Sequence, residues 1–395
     1  MSQQLINLSP DLKRLRDEGF EIEIRNDHLL IAGIPYVNSK KELKRGILVS
    51  DLSMSGNKTI KPANHVAHFS GEHPCQNDGA IIPNITCESS SKVIGGLTIN
   101  YSFSCKPSKG GYEDYYEKVT TYVEIISAHA KSMDDKLTAK TFKTIESSDP
   151  DSVFHYFDTN SSRAGISVIS DKLKTHKVAI IGLGGTGSYI LDLIAKTPVK
   201  EIHLFDGDKF FSHNAFRSPG APSVEELNKA QNKVNYFSDI YSRMRKNIIP
   251  HENYINASNV DQLLSMDFIF MSIDKADIKK LIIEKLDQAK LPFIDVGMGI
   301  EVVDESLIGI LRVTTSTDVK REHVRDNGRI PLSDGANDEY SQNIQIADLN
   351  ALNATLAVIK WKKICGFYQD LENEHHSTYS INVNQLLSDD QSHKI

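Results

Sequence analysis

The chain is short of cysteine, of long apolar runs and of excess positive charge, and each shortage removes a class of function. Its four cysteines, Cys75, Cys87, Cys105 and Cys365, are spread over 395 residues and form no C-x-x-C pair. Neither a disulfide framework nor a zinc knuckle is therefore expected. No apolar stretch approaches the roughly 20 residues of a membrane span, and the opening Met1, Ser2, Gln3 and Gln4 begin no signal peptide. A cytoplasmic protein without membrane attachment is expected. A formal net charge of −7 argues against sequence-independent nucleic-acid binding. What remains, 39% hydrophobic and 25% charged residues, suits two or three soluble domains with proper cores.

One segment states a chemistry. Residues 178–181 are a short apolar, largely β-branched run, as a buried parallel strand should be, and they lead directly into Gly182, Gly184, Gly185 and Gly187. Tyr189, Ile190, Leu193 and Ile194 then recur at helical spacing, Pro198 closes the helix, and 201–205 read as a second strand. In such a βαβ unit the glycines let the backbone approach phosphates, and the helix N-terminus offers N–H groups and partial positive charge to an anion. The glycines alone would also fit a dinucleotide dehydrogenase, with Asp206 as its ribose acid. A dehydrogenase does not require the rest: Asp206, Asp208, Asn214 and Arg217 in one loop, then Lys233 and Asp274. Acids for ribose and magnesium, with cations for phosphates, suit a nucleoside triphosphate and its metal.

These residues resemble the ThiF/MoeB-type adenylyltransferases, the superfamily of ubiquitin-activating enzymes. That pattern is G-x-G-G-x-G, then D-x-D-x-x-x-x-x-N-x-x-R, a lysine before a helix, and D-x-x-x-x-[RK]. The chain supplies Gly182, Gly184, Gly185 and Gly187; Asp206 with Asp208, Asn214 and Arg217; Lys233; and Asp274 with Lys279. It departs at Ser218, where the family usually has glutamine. The resemblance covers roughly the C-terminal 230 residues. It implies an α/β, Rossmann-like, doubly wound and mostly parallel sheet over residues 151–395. It implies ATP and magnesium as cofactors and a homodimer. The implied reaction is adenylation of the C-terminal carboxylate of a small ubiquitin-like protein ending in glycine, with a conjugating enzyme as a further partner. Asp274 would hold magnesium and Asp206 the ribose. Arg217, Lys233 and Arg163 would take the phosphates, and Asn214 would orient an α-phosphate oxygen. Two other readings stand beside it: a tRNA-modifying, dehydratase-like adenylyltransferase, and a non-catalytic scaffold of the same fold. Some relatives hold a structural zinc with two C-x-x-C pairs, which this chain lacks.

Residues 1–150 read as a smaller α+β domain of unassigned role. A short helix is expected over 12–18, strands over 20–24, 28–34, 46–52 and 97–103, and a helix over about 113–131 whose Tyr115, Val119, Tyr122, Val123, Ile126 and Ala130 form one apolar face. His65, His68, His73 and Cys75 crowd eleven residues. They are open to three readings: an ordinary loop, a metal site, or a ubiquitin-conjugating-like domain with Cys75 as acceptor thiol. Residues 145–165 read as a linker, with Ser147 to Pro150 turn-forming. Further on, 223–244 read as one helix carrying Lys233, 267–274 as a strand ending at Asp274, 275–285 as a helix, and 292–299 and 307–314 as strands. The glycines of 292–299 suit the close approach of an extended peptide tail. Residues 328–342 read as a polar loop, with Ser333 among its hydroxyls. A last helix over about 346–361 carries Leu349, Leu352, Leu356 and Ile359 on one face.

Overall fold

The computed structural model describes residues 2–83, 85–144, 146–147, 151–174, 176–332 and 344–392. Ser333, most of the polar loop and the turn at 148–150 fall outside the described residues, as does the side chain of Cys87. The chain forms two compact units: residues 1–149 with 156–163, and residues 150–155 with 164–395.

In the first unit two short helices, α1 (Ser2–Leu8) and α2 (Pro10–Asp17), precede strands β1 (Glu21–Arg25), β2 (His28–Val37), β3 (Leu43–Asp51), β4 (Met54–Ser55), β5 (Lys58–Thr59), β6 (Val66–Ser70), β7 (Thr86–Ile94) and β8 (Leu97–Ser104). Six of them form one antiparallel sheet in the order β1-β2-β3-β6-β8-β7. Helix α3 (Tyr115–Met133) starts where Asp114 accepts the Glu117 N–H at 2.8 Å. Its Tyr115, Val119, Tyr122, Val123, Ile126 and Ala130 are all buried, the first five in a core shared with Ile31, Phe69 and Phe103. The apolar stripe legible in the sequence is thus the face that packs, and burying such side chains is worth roughly 1.5–3 kcal/mol each. The unit closes with α4 (Thr159–Arg163).

The second unit opens with α5 (Ser167–Ser170) and is built on β9 (Lys177–Ile181), α6 (Gly185–Ala195), β10 (Glu201–Phe205), α7 (Ser212–Ala215), α8 (Val224–Asn228), α9 (Lys233–Tyr241), β11 (Ile248–His251), β12 (Phe268–Met271), α10 (Ala276–Gln288), β13 (Phe293–Val303), β14 (Ser306–Ser316), α11 (His323–Asp326), α12 (Ala347–Ile364), β15 (His376–Ser380) and β16 (Gln385–Asp389). The sheet order is β11-β10-β9-β12-β13-β14-β15-β16, with the first five strands parallel and the rest antiparallel. Both faces are covered, which is why β9 is apolar from Val178 to Ile181. Val178 and Ile180 join one core with Ile190, Ile194 and Trp361. Ala179 and Ile181 join another with Ile269, Ile282 and Leu286. The chain leaves β9 toward β10 on one side and returns to β12 on the other, so the switch point lies between β9 and β12, where open α/β sheets bind ligands.

The single helix expected over 223–244 is two. Ala230 takes φ +45°, a conformation a helix does not tolerate in an L-residue. Lys209 bridges Asn232, and the Lys233 N–H donates to Asp208 O at 2.9 Å. That break makes Lys233 the first residue of a new helix.

Candidate nucleotide-binding site

At the carboxyl ends of β9 and β12 lies a cavity of about 1190 Å³, and among the described residues its lining belongs to the second unit. Gly182 leaves β9 at φ +88°, and a Cβ there would lie 2.7 Å from the Ser272 carbonyl oxygen. Gly187, in the first turn of α6, passes so close to Gly182 that a Cβ would meet its carbonyl oxygen at 1.9 Å. The Ser272 hydroxyl ties the turn by donating to Gly182 O at 2.7 Å. At Gly184, by contrast, a Cβ would meet nothing within 4 Å. That bare stretch of backbone faces the cavity at the N-terminus of α6, the arrangement that receives phosphate groups.

Asp206, at the end of β10, is buried. Its carboxylate accepts the N–H groups of Leu183 at 2.7 Å and Asp208 at 2.8 Å, fastening the glycine loop to the next strand. Burial raises its pKa above the usual carboxylate value, against the charge of Lys233 and the two backbone donors. Lys233 is buried too, its Nζ 2.7 Å from Asp208 and 3.7 Å from Asp206. Asp208 stands half exposed at the mouth and also accepts the Tyr254 hydroxyl. Partial burial pushes its carboxyl up, but the hydrogen bonds from Lys233 and Tyr254, with the charges of Lys233 and Lys275, outweigh this and hold it below the usual value. The Lys275 ammonium lies 5.3 Å from the centre of the Tyr254 ring.

Arg217 lines the cavity, its Nε buried without a hydrogen-bond partner among the described residues. Asp274 lines it as well, exposed just past β12. Asn214 is buried and does not line it. Its side-chain oxygen accepts the Phe211 N–H at 2.9 Å, which caps α7 and shapes the loop that carries Arg217. Ser218, at the family's glutamine position, donates its hydroxyl to Asn214 O at 2.7 Å. Arg163 ends α4 of the first unit and is exposed.

Several residues at the site were not legible in the sequence. Asn350 on α12 accepts the Thr186 hydroxyl at 2.9 Å and donates to Arg217 O at 3.2 Å, packing against Gly185. Asn353, one turn on, donates to Gly297 O at 3.0 Å. Asp295 on β13, with no exposed surface, is flanked by Lys279 at 2.8 Å and Arg312 at 2.6 Å. These residues come from distant segments, and nothing in their local spacing links them.

The histidines of 65–73 do not converge. His65 pairs with the Ser104 hydroxyl at 3.0 Å, His68 with the Ser102 hydroxyl at 2.9 Å, and His73 packs on Tyr101. Among the described residues no group of three or more His, Cys, Asp or Glu is placed to hold a metal. Cys75 is buried, its thiol 3.3 Å from His73 O, and burial with the charge of Asp78 raises its pKa. Cys365, at the end of α12, is pushed up to about 12 by burial. Both are thiols, not thiolates, at neutral pH. Among the described residues no helix is long and apolar enough to cross a membrane.

A glycine turn at a sheet switch point, a carboxylate fastening it and cations over the mouth define a Rossmann-like nucleotide-binding domain. Its family is specific: residues 122–302 match the ThiF family, and residues 10–159 match a domain of unknown function, DUF6791. The chain thus carries a region that matches the ThiF family, its first part overlapping the end of the match to the uncharacterised domain. It is 22% identical over 148 residues to ubiquitin-like modifier-activating enzyme 5 of Culex quinquefasciatus, a match covering 35% of this chain and 37% of that protein. Among solved structures, E. coli MccB is 16% identical with a TM-score of 0.45, covering 79% of this chain and 94% of MccB. The E. coli tRNA N6-threonylcarbamoyladenosine dehydratase TcdA is 17% identical with a TM-score of 0.38, covering 52% of this chain and 92% of TcdA.

Proposed function

We propose that the second unit binds ATP with magnesium and adenylates the C-terminal carboxylate of a small ubiquitin-like protein. One oxygen of the carboxylate bonds to the α-phosphorus, the bond from that phosphorus to the bridging oxygen of pyrophosphate breaks, and acyl-adenylate and pyrophosphate result. No side chain need act as a base, because a carboxylate is already a nucleophile at neutral pH. The enzyme's task is in-line positioning and neutralisation of charge on the departing pyrophosphate. The observation that carries the reading is the convergence of Gly184, Asp206, Asp208, Arg217, Lys233 and Asp274 on one cavity.

In this reading Arg217 and Lys233 take phosphate oxygens, and Lys233 exchanges its pairing with Asp208 for them. Asp206, while holding the glycine loop, presents its remaining lone pairs to the ribose. Asn214 acts through the loop that aims Arg217. The carboxylates at the mouth fit magnesium, which uses one or two acids and completes its shell with phosphate oxygens and water. Asp274 would hold it, and the ion would neutralise charge on the β- and γ-phosphates. The active form is a homodimer in the cytoplasm. The acyl group passes to a separate molecule such as a conjugating enzyme, since the thiols of Cys75 and Cys365 are protonated and the former is buried. Calorimetry with ATP and NAD, each with magnesium, tests the nucleotide. ATP binding that depends on Asp274 is expected, and NAD binding in its place would overturn the proposal.

A further inference from the structure

The turn that makes Lys233 the first residue of α9 is held from two sides. On one side the backbone binds it to the loop after β10: the Phe210 N–H donates to Gln231 O at 2.8 Å and the Lys233 N–H to Asp208 O at 2.9 Å. On the other side stands Glu252, the first residue after β11. One oxygen of its carboxylate accepts an amide N–H from Asn232, and the other accepts one from Asn235 at 2.7 Å. These two asparagines bracket Lys233 along the chain.

Three observations show what this clamp secures. Asn232 is the N-cap of α9, where an asparagine ordinarily turns its side-chain oxygen to the free N–H groups of the first turn. Here, among the described residues, its side chain caps none of them and is given to Glu252 instead. Second, the backbone beside it is strained, because Ala230 sits at φ +45°, a conformation that an L-residue keeps only where its surroundings hold it. Third, the neighbours of Glu252 hold the same site: His251 O accepts the Asp206 N–H at 3.4 Å, and the Tyr254 hydroxyl donates to Asp208. Residues 251–254 thus fasten both carboxylates that face Lys233 and the helix that carries it.

Glu252 is exposed, so its hydrogen bonds exchange against water and add little to stability. What they fix is a position. We infer that Glu252 is a positioning residue for Lys233: by gripping Asn232 and Asn235 it sets where α9 begins, and so where the ammonium enters the cavity. Glu252 itself is not among the described residues that line the cavity. The inference rests on the proposed role of Lys233 as a ligand of phosphate oxygens.

The test is a double-mutant cycle on the full chain, read by calorimetry with ATP and magnesium. Glu252→Ala should weaken ATP binding about 10-fold, and in a Lys233→Met background it should weaken it no further, since the group it positions is gone. Glu252→Gln should bind within about threefold of wild type, because Asn232 can turn its amide over and accept from the glutamine, which keeps both hydrogen bonds. Equal losses from Glu252→Ala in the two backgrounds overturn the inference. So does a loss in Glu252→Gln as large as in Glu252→Ala, which assigns the effect to charge and not to position. ATP binding that Lys233→Met weakens and Glu252→Ala does not also overturns it, and leaves the nucleotide reading standing. Absence of ATP binding by the wild-type protein overturns both.

Discussion

Replacing Lys233 with methionine separates the two roles its ammonium serves. In the structure that ammonium is buried between Asp208 and Asp206, with Asp206 almost wholly out of water and Asp208 half exposed. Without Lys233, Asp208 rehydrates and Asp206 cannot. At 3.7 Å and an effective dielectric near 20, the lost attraction is about 4 kcal/mol. Methionine avoids the cost of burying an ammonium, and two backbone N–H groups still hold Asp206, so a net loss of about 2–3 kcal/mol is expected. The pH dependence has a definite sign. Burial already raises the Asp206 pKa, and removing Lys233 raises it further. A carboxyl whose folded pKa exceeds its unfolded one stabilises the fold below the unfolded value and loses that contribution as pH rises through the folded value. The deficit of the variant should therefore be small in acid and full at neutral pH. Urea unfolding followed by fluorescence measures it, since Trp361, the chain's one tryptophan, is buried in the second unit's core and reports on that unit. Pyrophosphate exchange should fall about 10²–10³-fold, the usual effect of removing a donor aimed at developing phosphate charge, and Lys233→Arg should restore part of it. A variant that loses stability but exchanges within about threefold of wild type would refute the reasoning and leave Lys233 a structural ion pair.

Gly187→Ala should lower the Trp361 unfolding midpoint by more than the ~1–3 kcal/mol of ordinary overpacking, because its methyl would meet backbone at Gly182 and not a movable side chain; ATP binding should be lost, and a wild-type midpoint would contradict the packing described. His375 and His376, both buried and with pKa lowered to about 4 chiefly by burial, should make the second unit acid-labile. A histidine depressed in the fold adds stability above its unfolded pKa near 6.5 and loses it as pH falls toward 4, about 2 kcal/mol per histidine between pH 7 and 5. His376→Gln should flatten the Trp361-monitored dependence, and an unchanged slope would count against it.

The helix stripes show where sequence pattern suffices and where it misleads. On α3 the large apolar residues are the ones that pack, because the helix lies on an open sheet face with room for them. On α12 the expected stripe is only partly inside: Leu349 is buried, Leu352 and Leu356 are half-buried and Ile359 is exposed. The face that packs is Asn350, Asn353, Ala354, Ala357 and Trp361. Helix α12 runs against α6, whose first turn is Gly185, Thr186 and Gly187, and a close approach of backbones selects small and hydrogen-bonding side chains over leucine.

What the sequence by itself determined is whatever lies within one βαβ unit and its loop. The β-branched run, the glycines, Asp206, Asp208 and Arg217 are held together by local backbone geometry, so their spacing carries their meaning. Lys233, Asp274 and the packing face of α3 were legible beyond it, while the tertiary structure alone decided three further features. It made 223–244 two helices, since the break depends on a bridge from Lys209 to Asn232 that no local propensity announces. It set Asn214 to capping α7. It brought Lys279, Arg312 and Asn353 to one cavity, with Asp295 paired to the two cations, because the order of strands across the sheet, and not distance along the chain, sets which residues meet. A buried carboxylate between two cations is a property of burial, and burial belongs to the folded chain.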